Sequence, residues 1–268
     1  MSTSQHWYDR LGNSAHQVPA KKGGMKATTI RDAKALGLLP SVTTVLSVLA
    51  KPQLERWKLE QVAFAAYAKL TQPIAFANKE AFAQVVVEEA FEPVSEAADL
   101  GTAIHAAIEA WGRDESYDPA MGEYVDAVQR WLTDNGCELI EQELRLVSLE
   151  HGFAGTTDAV FRKGDKLGIL DFKSRKTKVG LPCEPWDTEP MQIAAYSVAK
   201  WGDDLSRMLE GRIGCNCYIS TTEPGRVEWV FYDTARMDSE WDAFQAALTL
   251  WWHVKQYDPR VRREEVAA

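Results

Sequence analysis

Between residues 52 and 119 the apolar positions recur at helical spacing. Leu54, Trp57, Val62 and Phe64 fall in one segment, Phe82, Val85, Val86 and Phe91 in a second, and Ala98, Ile104, Ile108 and Trp111 in a third. A fourth helix is predicted over residues 119–133, with Pro119 near its first turn and Gly136 just past its end. After Gly136 the pattern switches to alternation over residues 139–149, 153–161 and 167–172, punctuated by Gly152 and Gly164, which predicts a three-stranded meander. A helix over 189–200, strands over 213–219 and 227–232, and an amphipathic helix over 237–257 complete the order. Residues 1–40 are polar and read as an irregular arm. The expected fold is α/β in the mixed α+β sense, a central mixed sheet flanked by helices. Residues 1–136 would supply the arm and a helical layer, and residues 137–268 the sheet core and closing helices, as one integrated domain.

Composition narrows the class. The 268 residues are 46% hydrophobic and 26% charged, enough to bury a core and too apolar for disorder. The longest apolar stretch, residues 38–50, is interrupted by Ser41, Thr43, Thr44 and Ser47, so no membrane-spanning helix is expected. The first residues show no basic segment leading into an apolar one, so a secretory signal is not expected and a reducing, cytoplasmic compartment is. A net charge of −9 argues against a protein that coats nucleic acid over its whole surface, while leaving room for a local basic strip. Cys137, Cys183, Cys215 and Cys217 form no C-x-x-C pair and read as small packing residues, so no iron–sulfur cluster is expected. No G-x-x-x-x-G-K-[ST] loop occurs, so no ATP-driven motor is expected in the chain.

The chemistry concentrates around one hairpin. If Gly164-Asp165 is its two-residue loop, antiparallel register pairs residues whose numbers sum to 329, which sets Asp158 opposite Asp171 and Thr156 opposite Lys173. A period of two then puts Asp158, Asp171 and Lys173 on one face. Two carboxylates at about 5 Å repel and call for a positive partner. A divalent cation suits them, because Mg²⁺ or Mn²⁺ prefers carboxylate oxygen and keeps open positions for water and phosphate. Lys173 would be the second positive group, orienting the attacking water or neutralising charge on the phosphate.

Three further features surround this hairpin. In Gly101-Thr102-Ala103-Ile104-His105-Ala106-Ala107-Ile108-Glu109, His105 and Glu109 share a helical face. Gln192 and Tyr196 share a face after the second carboxylate strand. Arg162, Lys163, Lys166, Lys173, Arg175, Lys176 and Lys178 make a basic run at the hairpin, where a phosphate backbone would approach.

Taken together, G-T-x-x-H-x-x-x-E, then G-T-T-D, then I-L-D-F-K-S, then Q-x-x-x-Y resemble the PD-(D/E)XK nuclease superfamily, in the branch of phage exonucleases, the mitochondrial genome maintenance exonuclease and the nuclease domains of recombination helicase–nucleases. Leu39-Pro40-Ser41-Val42-Thr43-Thr44, with Trp57 downstream, is similar to an N-terminal motif of that branch. The resemblance implies a restriction-endonuclease-like core and a Mg²⁺- or Mn²⁺-dependent deoxyribonuclease that removes nucleotides from DNA ends, single-stranded in preference. An endonuclease of the same superfamily and a DNA-binding or assembly module with a decayed site are the alternatives. It further implies that Asp158, Asp171, His105 and the carbonyl of Phe172 ligate the metal and that Lys173 serves catalysis. Ser41, Arg175, Lys176, Lys178, Gln192 and Tyr196 would contact DNA or organise the site, with Glu109 and Thr102 in support and Glu141 or Glu143 as a further acid. Such a protein would act alone or beside a separate recombination or replication partner, in a bacterial cell or encoded by a phage.

Overall fold

The computed structural model describes residues 5–21, 23–71, 76–202 and 212–261. The first residues, Lys22 and the charged tail beyond Val261 lie outside that set. Among the described residues, a five-stranded sheet runs β5 (Cys137–Ser148), β6 (Phe153–Lys163), β7 (Lys166–Arg175), β8 (Arg212–Ser220) and β9 (Val227–Tyr232) in spatial order. The first three strands form the expected antiparallel meander. Helix α6 (Thr188–Trp201) carries the chain across, so that β8 pairs parallel with β7, and β9 returns antiparallel. The sheet is therefore mixed, and no helix of the described residues is long and apolar enough to cross a membrane.

The helices cover both faces. On one face α2 (Val42–Leu46), α6 and α7 (Thr234–Lys255) bury Phe153, Ile169, Phe244 and Trp251. On the other, α4 (Lys79–Gly112) and α5 (Gly122–Asp134) bury Ile104, Val128, Phe161, Phe172, Cys215 and Cys217. Cys137 joins that second core, and burial pushes all three thiols up, as expected of packing residues.

Two expectations are corrected. The N-terminal segment is not an irregular arm. Short strands β1 (Trp7–Tyr8), β2 (Gln17–Pro19), β3 (Met25–Ala27) and β4 (Leu39–Pro40) flank a capped helix α1 (Ile30–Leu36), and Trp7 lies fully buried against Trp251. It joins the α6–α7 face, opposite α4 and α5, so residues 1–136 are divided between both faces of the sheet rather than forming one layer. Alternation is hard to see in strands of two or three residues, which is why the arm looked unstructured. Second, the two apolar segments at 82–91 and 98–111 form one helix of 34 residues that runs through Pro93. A proline ordinarily marks a break, and here the helix continues because its second half packs on the sheet. Helix α3 (Pro52–Leu70) lies against α4 and buries none of its residues.

Candidate active site

The hairpin turn forms where Gly-Asp predicts it. Lys163 pairs with Lys166, and the register holds from there to Ala159 opposite Leu170. At that point the ladder between β6 and β7 ends. Two side chains of β6 then serve the backbone of β7: the Thr157 hydroxyl donates to the Leu170 carbonyl at 3.3 Å, and the Phe172 N–H donates to Asp158 Oδ2 at 2.6 Å. Backbone groups at a parted ladder must find partners, and these residues provide them. On the other side of β6 the register runs from Gln142 opposite Ala159 to Leu144 opposite Thr157, which leaves Glu143 facing Asp158. Glu143 holds a left-handed φ of 49°, a strained conformation for a residue with a side chain.

This break changes the predicted arrangement. Asp158 does not share a face with Asp171 and Lys173, because alternation is interrupted at the parted strands. Asp158 turns to α4, where His105 Nδ1 stands 3.7 Å from its Oδ2. Asp171 and Lys173 turn to α6. There the Lys173 ammonium is ion-paired with Asp171 and donates to Gln192 Oε1 at 3.3 Å, while Gln192 Nε2 donates to Asp171 Oδ1 at 3.2 Å. The site thus occupies the gap between β6 and β7, across which Asp171 still acts electrostatically on both Asp158 and His105.

A small cavity of about 10 Å³ opens on the α4 side, lined by His105, Ile108, Glu109, Gln142, Glu143, Asp158 and Phe172. That is room for one water-sized occupant. Burial is the main cause that raises the Asp158 carboxyl well above the usual range, with repulsion from Asp171 and Glu143 adding to it. Glu143 is raised by burial and by the Glu109 charge. His105 is lowered by burial, so its imidazole stays neutral at pH 7 and keeps a lone pair. Lys173 is raised: desolvation opposes its charge, but Asp171 and Asp158 outweigh it. Crowded oxygen acids with a neutral imidazole are a donor set that suits Mg²⁺ or Mn²⁺. Among the described residues no three His, Cys, Asp or Glu side chains are arranged to hold a metal ion, and the Asp171 carboxylate is held by Lys173, Gln192 and Asn216.

The remaining candidates separate by position. Tyr196 and Gln192 are both buried, and Gln192 Nε2 also donates to the Tyr196 hydroxyl at 3.3 Å, so this pair holds Asp171 and Lys173 from the protein interior. Ser41 is buried too: its hydroxyl caps α2 by accepting from the Thr44 N–H at 3.0 Å. Thr102 is exposed and donates to the Ala98 carbonyl, away from the cavity. Glu109 lines the cavity with its carboxylate on Arg113. Of the two further acids, Glu143 faces the gap and Glu141 pairs with Lys200. Arg162, Lys163 and Lys166 sit at the turn end of the hairpin, about 20 Å along β7 from Lys173. Arg175 is bound by Glu189, whereas Lys176 and Lys178 are exposed.

The motif glycines have steric reasons. A side chain at Gly101 would strike Ser174 where α4 crosses β7, and a Cβ at Gly155 would come within 2.6 Å of the Tyr196 ring. Sequence reasoning missed Asn216. Fully buried on β8, it donates to Asp171 Oδ2 at 3.3 Å and accepts from the Tyr232 hydroxyl at 2.7 Å. An amide in the middle of the apolar run Ile213-Gly214-Cys215-Asn216-Cys217-Tyr218-Ile219 was the signal, since a central strand buries an amide only with a partner.

No family model matches the chain, and no curated protein matches it. Solved structures do, among them one described as the crystal structure of SSO0001, at 14% identity and a TM-score of 0.25, over 69% of this chain and 83% of that one.

Proposed function

We propose that this chain is a metal-dependent deoxyribonuclease of the PD-(D/E)XK type that acts on DNA ends, on single strands in preference to duplex. The observation that carries this reading is the gap between β6 and β7, around which Asp158, Asp171, Lys173 and His105 gather in an otherwise hydrogen-bonded sheet. Asp158, Asp171, His105 and the Phe172 carbonyl would hold Mg²⁺ or Mn²⁺, which supplies an ionised water and a Lewis acid at a phosphoryl oxygen. Lys173, held by Gln192 and Asp171, presents a fixed positive charge where the phosphate gains negative charge. Gln192, Asn216 and Tyr196 keep Asp171 oriented, and neutral His105 is available as a nitrogen donor. The acid, acid and lysine set is complete, which speaks against a decayed site.

Action on ends is tested with end-labelled linear and covalently closed circular single-stranded DNA in Mg²⁺ or Mn²⁺. The linear strand should be degraded to short products and the circle should survive. Rapid cutting of the circle would replace the exonuclease by an endonuclease and leave the metal site in place.

A further inference from the structure

The chain leaves β7 through residues 176–187, a loop with no regular structure whose backbone is nevertheless held firmly. Arg226 donates to the carbonyls of Lys178 and Leu181, and the Cys183 N–H donates to Glu228 Oε2 at 2.7 Å. Arg175 Nη1 donates to the Glu184 carbonyl at 2.6 Å, and the Trp186 N–H to Glu189 Oε2 at 2.9 Å. The same loop keeps large side chains in water. Trp186 is 65% exposed, and Lys176 and Lys178 are exposed with no carboxylate partner among the described residues.

Trp186 is also backed by a buried charge pair. The Arg175 guanidinium lies 4.2 Å from the indole centroid and 4.4 Å from the Tyr218 ring, and Glu189 binds both Arg175 and the Tyr218 hydroxyl. Such a stack fixes one face of the indole and leaves most of the ring to solvent. It adjoins the site: Arg175 lies two residues beyond Lys173 on the same side of β7, and Glu189 precedes Gln192 by about one turn of α6. An exposed aromatic backed by Arg175, on the same loop as two exposed lysines, points to an anionic ligand with flat rings.

We propose, on the nuclease reading above, that Trp186 is a base-stacking platform for an unpaired nucleotide of the single strand at the site, with the exposed Lys176 and Lys178 of the same loop for backbone phosphates. Duplex DNA keeps its bases stacked on one another and gains nothing from this platform.

The test measures binding of labelled single-stranded and duplex oligonucleotides to the full chain in chelator, together with cleavage in Mn²⁺ and thermal unfolding. Trp186→Ala should weaken single-strand binding about tenfold and raise KM with little change in kcat. Trp186→Phe should restore most of it, duplex binding should change less than about twofold, and the unfolding midpoint should hold. An Ala variant that cleaves and binds single strands like the wild type would overturn the platform and leave the nuclease standing. Equal loss for single strand and duplex, or loss that tracks a lowered midpoint and is not rescued by Phe, would also overturn it. A wild-type chain that neither binds nor cleaves DNA with any metal would overturn both readings.

Discussion

Lys173→Met is expected to lower the rate of phosphodiester cleavage by about 10²–10³-fold, the range seen when one fixed charge or donor is removed from a transition state. The methionine keeps the apolar stem and deletes only the ammonium. Asp171 then loses its ion pair and retains the Gln192 and Asn216 amides, so stability should fall by about 1–3 kcal/mol without loss of the fold. Lys173→Arg should recover more of the stability than of the rate, since a planar guanidinium keeps the charge but not the compact ammonium that Gln192 accepts. Single-turnover cleavage of labelled DNA, beside thermal unfolding of the same preparations, separates these effects. A Met variant with wild-type rate would remove Lys173 from the chemistry.

In chelator, Asp158→Asn should be more stable than the wild type at pH 7, by about 1–2 kcal/mol. Asp158 is raised well above its ordinary range, first by burial and then by Asp171. Between the unfolded and folded values the native state therefore binds the extra proton. Stability then falls as pH rises through that window, by up to about 1.4 kcal/mol per unit, until the folded group has titrated. The Asn variant has no such proton to lose, and its oxygen can still accept the Phe172 N–H. Its stability should lack this fall above about pH 4. Adding Mn²⁺ should reverse the order, since the ion stabilises the folded wild type by mass action and the variant far less. Denaturation in chelator from pH 4 to 8 checks the sign, and a variant less stable than the wild type at pH 7 would contradict it.

The sheet strands and the hairpin turn were readable because alternation and the Gly-Asp pair are local signals, and Ala159 stands opposite Leu170 as that turn dictates. The faces of the acids were not. Asp158 points to His105 just beyond the end of the β6–β7 ladder, and where that ladder ends is not written in the residue pattern. Similarly, Gln192 and Tyr196 were found by their helical spacing, yet their buried role behind Asp171 follows from how α6 packs on the sheet. Ser41 shows the same limit in reverse: the residue stood out in the sequence, and the fold uses it as a helix cap. Asn216 reaches Asp171 from β8, 45 positions away, through a parallel pairing that local spacing cannot display.

The most direct measurement is the release of nucleotides from linear single-stranded DNA by the purified chain in Mg²⁺ or Mn²⁺ and in EDTA, with Lys173→Met purified alongside to exclude a contaminating nuclease. The gathered acids, lysine and histidine require release in either metal, none in EDTA, and the loss stated above in the variant. Release that persists undiminished in EDTA, or no release with either metal, would contradict a metal-dependent nuclease built on Asp158 and Asp171.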